Sequence, residues 1–271
     1  MTARAWLLGD EEYEALMRMV YGKTGLAFDG DKRELFESRV RKRLEEKGMR
    51  PAEYVRLLAS PGSDAELRQL IDLLTVNETY FFRDLPQLTV FARAVLPDIY
   101  EQKLASSWPK IRLWSAGCSI GCEAYTLAII VLEHFRQHPP VPVEIVGTDI
   151  SPSVLEVARK GLYTDREVRD VPEPFLERYF VRGQDYWTPR AEVRRIVRFQ
   201  YGNLLDPEDT RLMRGFDVIF CRNVLIYFDD ESRRRAAQVL YDALREGGYV
   251  FLGHAESMSR ISRSFRLKRV G

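Results

Sequence analysis

Two periodicities divide the chain. Between residues 11 and 75 the apolar positions recur at helical spacing: Tyr13, Leu16, Met17 and Val20; then Phe36, Val40 and Leu44; then Leu67, Leu70, Ile71 and Leu74. Residues three and four apart share one helix face, so each set predicts an amphipathic helix with one buried stripe. Gly22 and Gly25, Gly48 followed by Pro51, and Pro61-Gly62 punctuate the pattern, and Asp64 is placed as an N-cap ahead of Leu67. No strand is predicted in this half.

Beyond about residue 110, short apolar runs take over: Ile111–Ser115, Val143–Gly147, Ile196–Gln200, Phe216–Cys221 and Tyr249–Leu252. Helical stretches fall between them, one running to about His134, one at Val154–Lys160 and one at Ser232–Arg245, closed by Gly247-Gly248. Strands alternating with helices predict an α/β fold with a largely parallel sheet. The alternation lapses over 178–198, where short polar and aromatic pieces predict a small inserted β subdomain. The expected organisation is an all-helical domain over 1–84 and an α/β domain over 85–271.

Composition narrows the class. With 45% hydrophobic and 30% charged residues, the 271-residue chain has enough apolar material for its own core. The 41 Lys and Arg against 40 Asp and Glu give no basic excess, which argues against nucleic acid as the main partner. Cys118, Cys122 and Cys221 form neither a disulfide framework nor a zinc spacing, so they are expected to be reduced apolar side chains, and no metal is expected. No run approaches the ~20 apolar residues of a membrane span, nor does the start resemble a signal peptide; a cytoplasmic protein without membrane insertion is expected.

The candidate chemistry gathers where strands end. Leu113–Glu123 reads as strand, glycine turn and helix, with glycine allowing close backbone approach and the helix start offering N–H groups. Its Gly117-x-x-x-Gly121 spacing is not the G-x-G-x-x-G of dinucleotide folds. Asp149 follows the second strand, where an acid can hold a ribose diol or cap a helix; Ser151-Pro152 can supply the cap alone. Arg222-Asn223 follows the apolar strand Phe216–Cys221, and Gly202-Asn203-Leu204 follows Ile196–Gln200, so both fall at the carboxyl edge where open α/β sheets bind ligands. Tyr227 in its apolar setting is either a core residue or a site residue. The aromatic and polar stretch Thr75–Asp84 either covers a ligand or starts a helix with two core Phe residues.

Four segments together resemble the CheR family, the chemotaxis receptor glutamate O-methyltransferases. They are Asn-Glu-Thr-Tyr-Phe-Phe-Arg at 77–83, Ser-Ala-Gly-Cys-Ser-x-Gly at 115–121, Cys-Arg-Asn-Val-x-Ile-Tyr-Phe at 221–228 and Gly-His-x-Glu at 253–256. The likeness runs from about Tyr13 to Phe265. It implies a Rossmann-like S-adenosylmethionine methyltransferase sheet with a small inserted β subdomain, behind an N-terminal all-helical domain. It implies S-adenosyl-L-methionine as cofactor and S-adenosyl-L-homocysteine as product. Asn77, Thr79, Arg83, Glu123, Asp149, Asn203, Leu204, Arg222 and Asn223 would line the cofactor pocket, with Asp149 on the ribose and Asn203 and Leu204 near the adenine. Arg83 and Tyr227 would orient the substrate carboxylate. The chain departs from the family at Cys122 and Ala124, where the first helix usually begins Gly-Glu-Glu-Pro-Tyr, and at Ala255, where Ser is commoner.

The implied partner is the cytoplasmic helical domain of a chemotaxis receptor. The stretch Asp31–Arg50 holds eight basic residues against five acidic, with Arg39, Arg43 and Lys47 four apart; they form either a solvated face or a docking surface for acidic receptor helices. Family members that grip a receptor's C-terminal pentapeptide resemble one another in a longer, glycine-containing loop after Arg-Tyr-Phe-x-Arg-Gly. Here Arg178–Gly183 leads into the short Gln184-Asp-Tyr-Trp-Thr-Pro189, so no dependence on a tail peptide is expected. Two alternatives remain open at this point: a methyltransferase of the same fold acting on RNA or a small molecule, and a cofactor-sensing scaffold.

Overall fold

The computed structural model describes residues 7–28, 30–75 and 77–268. They fall into two compact units: Met1–Val76 with Tyr227–Arg233, and Asn77–Ile226 with Arg234–Gly271.

The first unit carries α1 (Asp10–Thr24), α2 (Arg33–Lys47), α3 (Pro51–Ala59) and α4 (Asp64–Leu74). Their buried faces are the predicted stripes: Leu16 and Val20; Phe36, Val40 and Leu44; Leu70, Ile71 and Leu74. Each large apolar side chain so buried contributes about 1.5–3 kcal/mol. Tyr13 and Phe28 both meet the Phe36 ring at 5.4 Å. α1 and α2 end on left-handed Gly25 and Gly48. Asp64 is the first residue of α4 and the N-cap is Ser63, so the predicted cap stands one residue late. The segment Tyr227–Arg233 belongs here because the Tyr227 carbonyl accepts from Ala27 N–H at 3.0 Å, Leu26 bridges Phe228, and the Tyr21 hydroxyl donates to Asp229 Oδ2 at 2.7 Å.

The second unit opens with α5 (Leu85–Val90) and α6 (Leu96–Leu104), joined by a π-helical turn at Phe91–Val95. Pro97 has no N–H to return to the preceding turn, which accounts for the widening there. Five parallel strands follow in the order β5-β2-β1-β6-β7: β1 (Ile111–Ala116), β2 (Val143–Asp149), β5 (Val197–Tyr201), β6 (Phe216–Cys221) and β7 (Leu244–Leu252). β1 and β6 are buried nearly throughout, as the central strands of a covered parallel sheet must be. α7 (Cys122–Phe135), α8 (Pro152–Lys160), the short α9 (Asp165–Val168) to α12 (Pro207–Thr210), and α13 (Asp230–Ala243) occur between them; α10 is Glu173–Tyr179 and α11 is Ala191–Arg195.

A separate antiparallel pair, β3 (Phe180–Arg182) and β4 (Trp187–Pro189), forms the predicted β subdomain as a single hairpin. It is shorter than the predicted 178–198, because Val197 and Arg198 already pair with Ile145 and Val146 in the main sheet. The compact units divide at 76/77, whereas the sequence places the joint at 84/85. Aromatic packing is the reason: Phe81 meets Tyr163 at 4.8 Å and Phe180 at 5.0 Å, and Phe82 meets Phe175 at 5.7 Å.

Candidate active site

In a parallel sheet every strand delivers its following loop to the same edge. Here that edge gathers the loops after β1, β2, β5 and β6, and hydrogen bonds stitch them together. Gly117 and Cys118 N–H donate to the Thr148 carbonyl at 2.8 and 2.9 Å, and Gly202 N–H donates to the Asp149 carbonyl at 3.0 Å. Ser119 Oγ donates to the Asn77 carbonyl at 3.3 Å, bringing the 77–84 segment to the same loops.

Backbone strain concentrates in these segments. The non-glycine residues with positive φ among those described are Phe82 (57°), Asp84 (66°), Ser119 (50°) and Asn223 (60°). Each conformation costs of order 1–3 kcal/mol and persists only where surrounding structure holds it. All four lie within the motif segments singled out in the sequence.

Asp149 is the last residue of β2 and is 7% exposed. Its Oδ2 accepts from Ser119 N–H at 2.8 Å and its Oδ1 from Ser151 N–H at 3.0 Å, so two amides fix the carboxylate's orientation. Ser151 caps α8 through Val154 N–H, which releases Asp149 from capping as the sequence suggested. The glycines answer to the protein's own packing. A methyl group on Gly117 would stand 2.4 Å from Val224 Cγ2, and one on Gly121 2.7 Å from Phe199 and 2.9 Å from Ala158 Cβ. Positive φ values of 74° and 88° add a backbone reason. Asn203 is buried, and its Oδ1 accepts from Leu205 N–H at 3.0 Å, closing a turn that sets Leu204 half-exposed.

A charged cluster closes the edge between β1 and β6. The Arg222 guanidinium, 5% exposed, donates to the Arg83 carbonyl at 2.8 Å, pairs with Glu123 Oε2 at 3.3 Å and stands 3.5 Å from Asp84 Oδ2. Glu123 Oε1 accepts from Ser115 Oγ at 2.6 Å. Burial pushes the Glu123 carboxyl above the usual carboxylate range, against the opposing pull of Arg222 and Ser115. The Arg83 side chain donates to the Glu78 carbonyl at 3.0 Å and lies 5.8 Å from the Tyr80 ring. Beyond them, Glu256 accepts from Asn223 and Gly253 N–H at 2.9 and 2.6 Å. Neither Glu256 nor Asp84 has a role assignable from the sequence alone; the acid that ends Gly-His-x-Glu is the one signal that marks Glu256.

Asn77, Thr79, Arg83, Glu123, Asp149, Asn203, Leu204, Arg222 and Asn223 therefore all belong to the α/β unit. Tyr227 and the basic stripe belong to the helical unit. Tyr227 is half-buried, with the Lys32 ammonium 5.5 Å from its ring centre. Of the stripe, Arg43 is tied to Glu66 by two hydrogen bonds of 2.8 Å, and Lys47 reaches the same carboxylate at 2.7 Å. Tyr54 OH also donates to Glu66 at 2.8 Å. Burial works against that charge, and the bonds from Arg43, Lys47 and Tyr54 outweigh it, holding the Glu66 carboxyl at about 2. Arg39, half-exposed, has no such tie among the described residues. The cysteines are free and buried, with thiol pKa values raised by desolvation. His134 and His138 stack on each other at 4.3 Å beside Tyr100, and exposed His254 stands 3.0 Å from Asp84. Among the described residues no cluster could hold a metal ion, and no helix is long and apolar enough to cross a membrane.

A sulfonium amino acid nucleoside needs an acceptor for a ribose diol, acceptors for cationic groups and a donor for its carboxylate. Asp149, Glu123 and Arg222 provide those types at one edge. The buried Arg222 Nε and Asp84 Oδ1 make no hydrogen bond among the described residues, while Asp84 Oδ2 faces His254 at 3.0 Å and Arg222 at 3.5 Å. Unmatched polar atoms of both signs at the edge fit such a group.

The comparisons with known proteins point the same way. Residues 11–75 match the CheR methyltransferase all-alpha domain, and residues 77–270 match the CheR methyltransferase SAM binding domain. The chain is 38% identical over 267 residues to chemotaxis protein methyltransferase 2 of Vibrio cholerae, covering 97% of this chain and 91% of that one. It is 36% identical over 252 residues to the chemotaxis protein methyltransferase of Borreliella burgdorferi, covering 92% and 88%. With chemotaxis protein methyltransferase 1 of Pseudomonas aeruginosa it shares 34% over 260 residues, covering 93% and 92%.

Proposed function

The chain belongs to the CheR methyltransferase family, and from that premise we propose that it transfers a methyl group from S-adenosylmethionine to glutamate side chains of chemotaxis receptors, forming methyl esters. The observation that supports this most is Asp149. It is an acid at the end of the second parallel strand, aimed by two amides and relieved of helix capping by Ser151.

S-adenosylmethionine, when bound, supplies an electrophilic methyl group. Asp149 holds the ribose, Asn203 and Leu204 flank the adenine, and Asn77, Thr79, Arg83, Glu123, Arg222 and Asn223 line the remainder. A substrate glutamate has an ordinary pKa near 4.3, so about 99.8% is carboxylate at neutral pH and no general base is required. His134, His138 and His254 accordingly have no assigned part in the chemistry. What the chain contributes is orientation, which can replace acid–base assistance through effective molarity. Arg83 and Tyr227 are assigned to orient the substrate carboxylate.

The partner is the receptor's cytoplasmic helical domain, attracted by the α2 stripe of Arg39, Arg43 and Lys47. Arg39 is the member of the three free of the Glu66 cluster. The near-equal balance of 41 basic and 40 acidic residues favours protein over nucleic acid as partner. The location is cytoplasmic. The β3–β4 hairpin turns at Gly183–Tyr186 through a 2.7 Å backbone bond and lacks a longer glycine-containing loop, which favours a member independent of receptor tail peptides. Calorimetry with a receptor's C-terminal pentapeptide tests that part: no measurable binding is expected, and micromolar affinity would overturn it.

The cofactor assignment is tested by titrating S-adenosylhomocysteine into the parent and Asp149→Ala. Hydrogen bonds to a charged group are worth about 1.5–3 kcal/mol each, so affinity should fall tenfold or more. Unchanged affinity in the variant would remove Asp149 from the ribose.

A further inference from the structure

Glu256 sits four residues beyond the end of β7, outside every role assigned above. Its carboxylate bridges the segments that follow β6 and β7. Oε2 accepts from Gly253 N–H at 2.6 Å and Asn223 N–H at 2.9 Å, and Oε1 accepts from Ile226 N–H at 3.3 Å. The Glu256 amide itself donates to the Gly253 carbonyl at 2.9 Å, closing the turn that carries the side chain. Amides from two separate loops converge on one carboxylate, and their aligned N–H dipoles favour negative charge there. Here the chain supplies the anion itself.

Two features show that the arrangement is held tightly. Asn223 has φ of 60°, a left-handed conformation that the surrounding bonds must maintain. At Gly253 an added Cβ would lie 2.8 Å from Glu256 Oε2 and 3.0 Å from the Asn223 nitrogen, so only glycine leaves room for the carboxylate between the two strand ends. The register makes the geometry possible: Cys221 pairs with Leu252, so Arg222 and Gly253 leave the sheet side by side.

We propose that Glu256 is a positioning residue for cofactor binding, an internal anion that locks the 223–226 loop in its strained form and thereby aims Asn223 and the adjoining Arg222. This deepens the cofactor reading and rests on it. A neutral Gln side chain removes the charge and replaces one of the two acceptor oxygens with a donor, and a displaced carboxylate moves both away; either loosens the hold on the Asn223, Ile226 and Gly253 amides and lets Asn223 relax toward an ordinary conformation.

The test uses the full chain with Glu256→Gln and Gly253→Ala, the second keeping the carboxylate but pushing it from its seat. Thermal unfolding fixes a temperature at which parent and variants are folded. At that temperature two quantities are read: hydrogen-exchange protection of the 223–226 amides without ligand, and calorimetric affinity for S-adenosylhomocysteine. Protection lost in both variants, with affinity reduced tenfold or more, is the expected result. Protection or affinity at the parent level in the folded variants would overturn the proposal and leave Glu256 a stabilising contact only. A parent that fails to bind S-adenosylhomocysteine would overturn the cofactor reading itself, and the inference with it.

Discussion

At the scale of single residues, the chain's polar side chains near the sheet edge are assigned by what holds them. Asp149 is aimed by amides, Arg222 by a carbonyl and two acids, Asn203 by its own turn. The placement of Asp149 was legible in the sequence, because it follows an apolar run and precedes Ser151-Pro152: it ends β2, and Ser151 caps α8. Asp84 was not: its left-handed backbone and its buried carboxylate, paired with Arg222 and His254, depend on where those two residues arrive from elsewhere in the chain. Gly117 and Gly121 were legible as necessary but for a different reason, since the contacts they avoid are with Val224, Phe199 and Ala158. Tyr227 carries the sharpest residue-level prediction. Tyr227→Phe should keep S-adenosylhomocysteine affinity within a few-fold while kcat falls more than KM changes, because orientation acts on the transition state. Steady-state kinetics with a receptor substrate measure this, and a normal kcat would make Tyr227 a packing residue.

At the scale of elements, periodicity located the helices α1, α2 and α4 and the strands β1, β2, β5 and β6 closely, since a buried stripe or a buried run is written directly in apolar spacing. The last strand departs from expectation: β7 begins at Leu244 instead of Tyr249, and Gly247-Gly248 lie inside it instead of closing the preceding helix, because the chain already pairs with Phe216 at Leu244. Strand pairing order and the short length of the β3–β4 hairpin depend on partners distant in sequence and were not legible. The basic stripe on α2 shows the same limit. Its charge was visible; that Glu66 on α4 occupies Arg43 and Lys47 was not. Arg39→Glu should therefore slow receptor methylation, most at low salt, with thermal stability unchanged. Arg43→Glu should instead lower the melting temperature by about 4 °C or more, since it faces Glu66 with a like charge. The pH dependence fixes the sign. Glu66 is held at about 2, below its ordinary 4.5, so its contribution is full above 4.5 and is lost as pH falls through about 2. The stability gap between parent and Arg43→Glu should narrow over that window in thermal melts. Equal methylation rates for parent and Arg39→Glu at low salt would remove the stripe from docking.

At the scale of the whole molecule, the chain combines a helical unit rich in internal ion pairs with an α/β unit whose carboxyl edge collects the cofactor motifs. The family resemblance was readable from four short motifs, and matches to both family domains cover nearly the whole chain. The central claim is methyl transfer to glutamate carboxylates of a receptor, and one measurement addresses it directly. The protein is incubated with methyl-labelled S-adenosylmethionine and host membranes carrying chemotaxis receptors, and the labelled product is treated with base. The account predicts label on receptor protein that base releases as methanol, as a carboxyl methyl ester requires. Label that survives base, or that resides in RNA or small molecules instead of receptor, would contradict it.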